Sequence, residues 1–102
     1  MSETAYTDTF ASDNLPPRAQ WPELCFDLPE LQYPERLNCV AELLDRAVEA
    51  GQGGRAAIIS PQGRWTYAEL LEKVDRIAHV LRNDMGLATG NRVLLRGANN
   101  PM

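Results

Sequence analysis

The chain has no long apolar run, one histidine and two cysteines, and its acidic side chains outnumber its basic ones. Each shortage excludes something. No segment approaches the roughly 20 apolar residues of a membrane span, so no membrane partner is expected. Residues 1–8 have neither a cationic start nor an apolar stretch, which excludes a secretory signal at that position. Cys25 and Cys39 are far apart and match no metal-ligand spacing. They read as two reduced, partly buried thiols, and the chain is expected in the cytoplasm. With 10 Lys and Arg against 14 Asp and Glu, a net charge of −4 and no basic stripe interleaved with aromatics, nucleic acid is not an expected partner.

What is present suits one globular unit at most: 102 residues, 44% of them apolar. The acidity is uneven. Residues 1–36 carry seven acids against Arg18 and Arg36, whereas 37–102 carry seven acids against eight basic groups. This acidic leader contains Pro16, Pro17, Pro22, Pro29 and Pro34, which break long helices and central strands. It also holds Phe10, Leu15, Trp21, Leu24, Phe26, Leu28, Leu31 and Tyr33, more apolar matter than a disordered tail contains. Residues 1–36 are therefore expected to form an extended arm lying across a partner surface and anchored by Trp21 and Phe26. Short helical turns are possible at residues 8–14 or 22–25.

The remainder, 37–102, alternates helix and strand signals. Asn38 is a good N-cap, and Val40, Leu43, Leu44, Ala47 and Val48 mark one helix face, closed at Gly51. Residues 55–67, with Pro61-Gln-Gly63 between two short apolar runs, predict a hairpin. Thr66 and Glu69 form a capping box for a second helix. Its apolar stripe runs through Tyr67, Leu70, Leu71, Val74, Ile77, Ala78, Leu81 and Met85. Glu69/Lys73 and Glu72/Arg76 are i,i+4 pairs on its wet side. Gly86 closes that helix, with Leu87 folding back on the last turn. The unalternating Val93-Leu-Leu95 within 92–96 predicts a strand covered on both faces, as in a parallel sheet. The fold class is then α/β: helix, β-hairpin, helix, parallel strand, joined by a right-handed crossover. Gly97-Ala-Asn-Asn-Pro-Met102 reads as a loop, an Asn100 N-cap and Pro101 at a first helical position. A helix is announced, and the chain is expected to be the front piece of a larger α/β protein.

No residue emerges as catalytic, cofactor-binding or metal-ligating. His79 sits beside the apolar stripe with no Ser or Cys nucleophile at useful spacing, and reads as structural. Gly51-Gln-Gly-Gly54 has a helix before it and a strand after it, the reverse of a phosphate loop, and reads as a helix stop and turn. Glu42/Asp45/Glu49 and Glu69/Glu72/Asp75 lie on solvated helix faces, where nothing desolvates them and acid–base work is not expected. Asn99 and Asn100 are cap residues before they are ligand contacts, and Trp65 and Tyr67 are hairpin packing residues.

The order of elements nevertheless carries a resemblance. Asn38-Cys-Val-Ala-Glu-Leu-Leu-Asp45, Ala57-Ile-Ile-Ser60, Trp65-Thr-Tyr-Ala-Glu-Leu-Leu71 and Gly90-Asn-Arg-Val-Leu-Leu-Arg-Gly97 resemble the opening of the adenylate-forming enzymes, which include acyl-CoA synthetases, firefly luciferases and peptide-synthetase adenylation domains. The Thr-Tyr-x-Glu-Leu helix start and the Gly-x-Arg-Val strand are the sharpest matches. Phe10-Ala-x-Asp-x-Leu-Pro-Pro17, Trp21-Pro22 and Leu31-x-Tyr-Pro34 look like the leader of 2-aminobenzoate- and benzoate-type CoA ligases. The resemblance implies a parent enzyme that adenylates a carboxylic acid with ATP and Mg²⁺ and passes it to coenzyme A. It also implies that the family's phosphate loop, nucleotide-contacting motifs and late lysine lie beyond Met102, so this piece alone is inert. Its expected partners are the rest of the parent enzyme and, through exposed edges, other copies of itself. Two other readings stay open: an adenylation domain loading a carrier protein, and a stand-alone interaction module.

Overall fold

The computed structural model describes residues 5–101; the first four residues of the expected arm and Met102 lie outside them. The leader is a succession of single turns separated by prolines. The helix α1 spans Phe10–Asp13, and 3₁₀ turns span Arg18–Gln20 and Pro29–Leu31. A turn within 8–14 is thus formed, whereas 22–25 has none. The leader's aromatic anchors are satisfied locally. The Trp21 indole N–H donates to Pro16 O at 2.8 Å under the Arg18 guanidinium, 4.8 Å from the ring centre. Phe26 meets Tyr33 edge-on at 6.2 Å.

Residues 39–52 are helical, and Asn38 caps them: its Oδ1 accepts the N–H groups of Val40 and Ala41 at 3.1 and 3.2 Å. Two stretches of this helix, Ala41–Asp45 and Val48–Gln52, are wound in wider π-type turns. Gly51 adopts φ +78°, so the left-handed residue expected to stop the helix sits inside its last wide turn. A two-stranded antiparallel hairpin follows, β1 at Ala56–Ser60 and β2 at Gly63–Thr66. A register irregularity between Ala56 and Ile58 marks its base. The helix α2 spans Tyr67–His79 and runs on as a π-type turn through Val80–Asp84.

Both halves of the capping box are made. Thr66 Oγ1 accepts the Glu69 N–H at 3.2 Å, and Glu69 Oε2 accepts the Thr66 N–H at 2.8 Å. The remaining first-turn donors are also used, Tyr67 N–H on Arg55 O and Ala68 N–H on Gly53 O, each at 3.0 Å. At the far end Gly86 has φ +67°, and the Leu87 N–H returns to Leu81 O at 2.9 Å. That closure is one residue wider than a Schellman bond because the turn it closes is π-type.

Three expectations are corrected. Residues 92–96 form no strand: they pair with neither β1 nor β2, and a ladder needs a partner. The sheet is therefore an antiparallel pair, and no parallel crossover exists among the described residues. The helix announced by Asn100 and Pro101 would lie outside the described residues. Glu69 does not pair with Lys73; its carboxylate is committed to the cap, and the Lys73 ammonium lies over the Trp65 ring at 4.5 Å. Both cysteines are free and exposed rather than partly buried: Cys25 lies in the open leader and Cys39 in the solvent-facing first turn of its helix. The Glu72–Arg76 pair is formed, as is Glu42–Arg46.

Packing is sparse. Leu44 is the one buried apolar side chain among the described residues. The α2 stripe is half-covered at Tyr67, Leu70, Leu71, Val74 and Leu81, while Ile77 and Met85 are exposed. Ile59, Leu94 and Leu95 stand 77%, 92% and 88% exposed, so the hairpin's outer face and the 93–95 run have no cover. The radius of gyration is 17.0 Å, against about 13 Å for a compact unit of this length. These elements form a scaffold awaiting a surface to pack on.

Candidate functional site

The residues weighed for chemistry are dispersed. His79 is exposed, and its Nδ1 lies 2.8 Å from the Asn83 side-chain amide, one turn along the same helix. Glu42 and Glu72 hold arginines on solvated faces, and Glu69 is a cap. No group of three or more His, Cys, Asp or Glu side chains among the described residues is placed to hold a metal ion. The Gly51–Gly54 loop has a different use from a phosphate cradle. Gly53 O and Arg55 O accept the Ala68 and Tyr67 N–H groups and the capping box takes those of Thr66 and Glu69, so the four N–H groups that would otherwise bind an anion are already taken. Asn99 and Pro101 border an open groove of about 380 Å³ against Ile58, Ser60 and Gln62 at the hairpin tip. Trp65 lines an adjoining space of about 410 Å³. Neither gathers charged groups.

The densest polar cluster lies elsewhere, where the leader meets the turn after α2. The 88–91 turn closes on itself, Asn91 N–H to Ala88 O at 3.0 Å and Ala88 N–H to Asn91 Oδ1 at 2.9 Å. Thr89 O then accepts two successive leader donors, the N–H groups of Thr7 and Asp8, both at 2.9 Å. The Asp8 carboxylate completes the join. Its Oδ1 accepts the Phe10 N–H at 3.0 Å, and its Oδ2 accepts from the Asn91 amide and the Arg92 guanidinium, each at 2.7 Å. Arg92 also covers the Phe10 ring at 4.7 Å. The Phe10 N–H first, then the Asn91 amide and the Arg92 charge, hold the Asp8 carboxyl below its ordinary pKa.

Gly90 makes the approach possible. Its φ is +97°, and a Cβ there would stand 2.0 Å from Asp8 O and 3.0 Å from Tyr6 Cβ. Sequence reasoning missed this cluster because its halves are more than 80 residues apart. The local signals were Gly90-Asn91, a turn pair, and Asp8 two residues ahead of Phe10, an Asx arrangement.

The comparisons with known proteins bear on the half of the chain that holds the capping box, the hairpin and the 88–92 turn. Residues 44–102 match the family described as AMP-binding enzyme. The chain belongs to that family. Among curated relatives, the benzoate–CoA ligase of Thauera aromatica is 39% identical over 67 residues, 66% of this chain and 13% of that protein. The acetyl-coenzyme A synthetase of Burkholderia lata is 44% identical over 64 residues, 58% of this chain and 10% of that protein. The 4-hydroxybenzoate–CoA/benzoate–CoA ligase of Rhodopseudomonas palustris is 36% identical over 58 residues, 57% of this chain and 11% of that protein. The chain thus spans between 10% and 13% of the length of these relatives. No solved structure matches it. The resemblance read from Thr66-Tyr-x-Glu-Leu and Gly90-x-Arg-Val pointed to this family.

Proposed function

We propose that this chain is the opening scaffold of an acid–CoA ligase acting on an aryl carboxylic acid of the benzoate or 2-aminobenzoate type. The observation that carries this reading is the 39% identity to a benzoate–CoA ligase, together with a leader patterned like those of aryl-acid ligases. In the whole enzyme, ATP with Mg²⁺ would supply an adenylate leaving group and coenzyme A the accepting thiol. The residues described here do not fit those groups: they offer no metal cluster, and the donors at the start of α2 are already occupied. No reaction step is therefore assigned to them, and the 102 residues alone are non-catalytic. Their part is to present surfaces. Residues 1–36 act as an arm and 37–102 as an incomplete α/β subdomain, in which 92–96 becomes a parallel strand once a neighbouring edge is supplied. Without that neighbour, the bare Ile59, Leu94 and Leu95 side chains favour association of one copy with another. The free, exposed thiols of Cys25 and Cys39 suit a reducing cytoplasm.

One observation favours a second reading, a small aliphatic acid as substrate, since the match to an acetyl-coenzyme A synthetase reaches 44% identity. The test is acid-dependent pyrophosphate release by a protein that carries this chain through the full length of its relatives. Benzoate and 2-aminobenzoate turning over well ahead of acetate supports the aryl reading. A preference for acetate replaces it with the second.

A further inference from the structure

We infer that residues 6–10 are a built-in strap that pins the 88–92 turn and so fixes the direction in which the apolar 93–95 run leaves it. The strap and turn belong to opposite ends of the sequence, yet they share two backbone bonds on Thr89 O, a carboxylate held by three donors, and a guanidinium stacked on a ring. Arg92 is the pivot. It binds the strap through Asp8 and Phe10 and is itself the first residue of the 92–96 segment. Its neighbour Asn91 spends one end of its amide closing the turn and the other on Asp8, so turn shape and strap attachment are coupled through one side chain. Charge favours the contact as well, because the leader carries seven acids against two arginines while the rest is near neutral.

The inference is independent of substrate. An open polar edge such as 92–96 can pair with a neighbour only if it is presented at one angle. The strap supplies long-range polar contacts to Thr89, Asn91 and Arg92, where the segment leaves the turn.

Nitrogen-labelled full chain tests it by NMR. Asp8→Ala and Gly90→Ala are each expected to raise amide exchange at Thr7 and Asp8 by about five-fold or more, the loss of one modest hydrogen bond. Both are also expected to shift or double the resonances of residues 91–96 while α2 stays put. If 91–96 are unmoved when 6–10 come free, the strap positions nothing and the inference fails. It also fails if Thr7 and Asp8 are unprotected in the unaltered chain. Should either variant unfold, an acid titration of the unaltered chain decides. The 6–10 and 91–96 resonances must move together as Asp8 protonates, with Arg92 the charged group beside it; separate midpoints overturn the coupling.

Discussion

Replacing Thr66 with alanine removes the oxygen that accepts the Glu69 N–H and leaves every other first-turn donor of α2 in place. Loss of an N-cap of this kind costs about 0.5–2 kcal/mol. Here the lower half of that range applies, because Tyr67 and Ala68 keep their bonds to Arg55 O and Gly53 O and the turn stays anchored. About 1 kcal/mol corresponds to a roughly five-fold rise in amide exchange over the first turn, with little change beyond Val74. Thr66→Ser should be nearly neutral. Glu69→Ala removes the reciprocal bond to Thr66 N–H, and the double variant should cost less than the two single losses combined, because both belong to one box. The same arrangement predicts that phosphate or pyrophosphate leaves the α2 amides unshifted in the unaltered chain. A large anion-dependent shift at Thr66–Glu69, or an unchanged exchange rate in Thr66→Ala, would refute the reasoning that these donors are internally spent.

Other outcomes follow from the same geometry. Gly86→Ala meets open space and pays only for its φ of +67°, about 1–2 kcal/mol; Gly90→Ala pays a similar strain and also drives Cβ into Asp8 O, so exchange at Thr7 and Asp8 should rise in the second variant alone. Because the Asp8 carboxyl is held below its ordinary pKa, its contribution to the strap is full above the ordinary aspartate value. That contribution fades as pH falls through the lowered one, so the join should be closed at neutral pH and open only in acid, as read by Asn91 side-chain amide shifts. Lys73→Met removes the ammonium over Trp65 and should loosen the hairpin against α2 by about 0.5–1 kcal/mol, seen as altered Trp65 fluorescence. Leu94→Ser with Leu95→Ser should reduce self-association in sedimentation without unfolding the chain, since both side chains are almost fully exposed.

What the sequence disclosed follows the range over which each signal acts. The Thr66–Glu69 box, the Asn38 cap and the turn read at Pro61-Gln-Gly63 are settled within four residues; the first two formed as read, and the turn formed at 61–62 with Gly63 already in β2. The π-type winding at Ala41–Asp45 and Val48–Gln52 was not legible, because the i, i+3, i+4 apolar spacing of this segment is that of an ordinary helix. Residues 92–96 failed as a strand for a different reason: Val93-Leu-Leu95 does specify burial on both faces, but burial needs partners these elements do not provide. Glu69 was claimed by two local rules, a cap and an i,i+4 pair, and the cap prevailed because it satisfies a backbone donor that had no alternative. The Asp8–Arg92 join was illegible, since no periodicity links positions so far apart. The chemistry-bearing types, His79 and the helix-face carboxylates, read as structural and lie dispersed in the fold.

We propose that this chain scaffolds an acid-activating enzyme and performs none of its chemistry. Pyrophosphate release, followed with ATP, Mg²⁺, coenzyme A and either benzoate, 2-aminobenzoate or acetate, tests it most directly. It should be run on the 102 residues and on a protein extending them through the length of their relatives. Aryl-acid-dependent release is expected from the longer protein and none from the 102 residues. Turnover by the 102 residues alone, or a longer protein inert toward every acid, would contradict it.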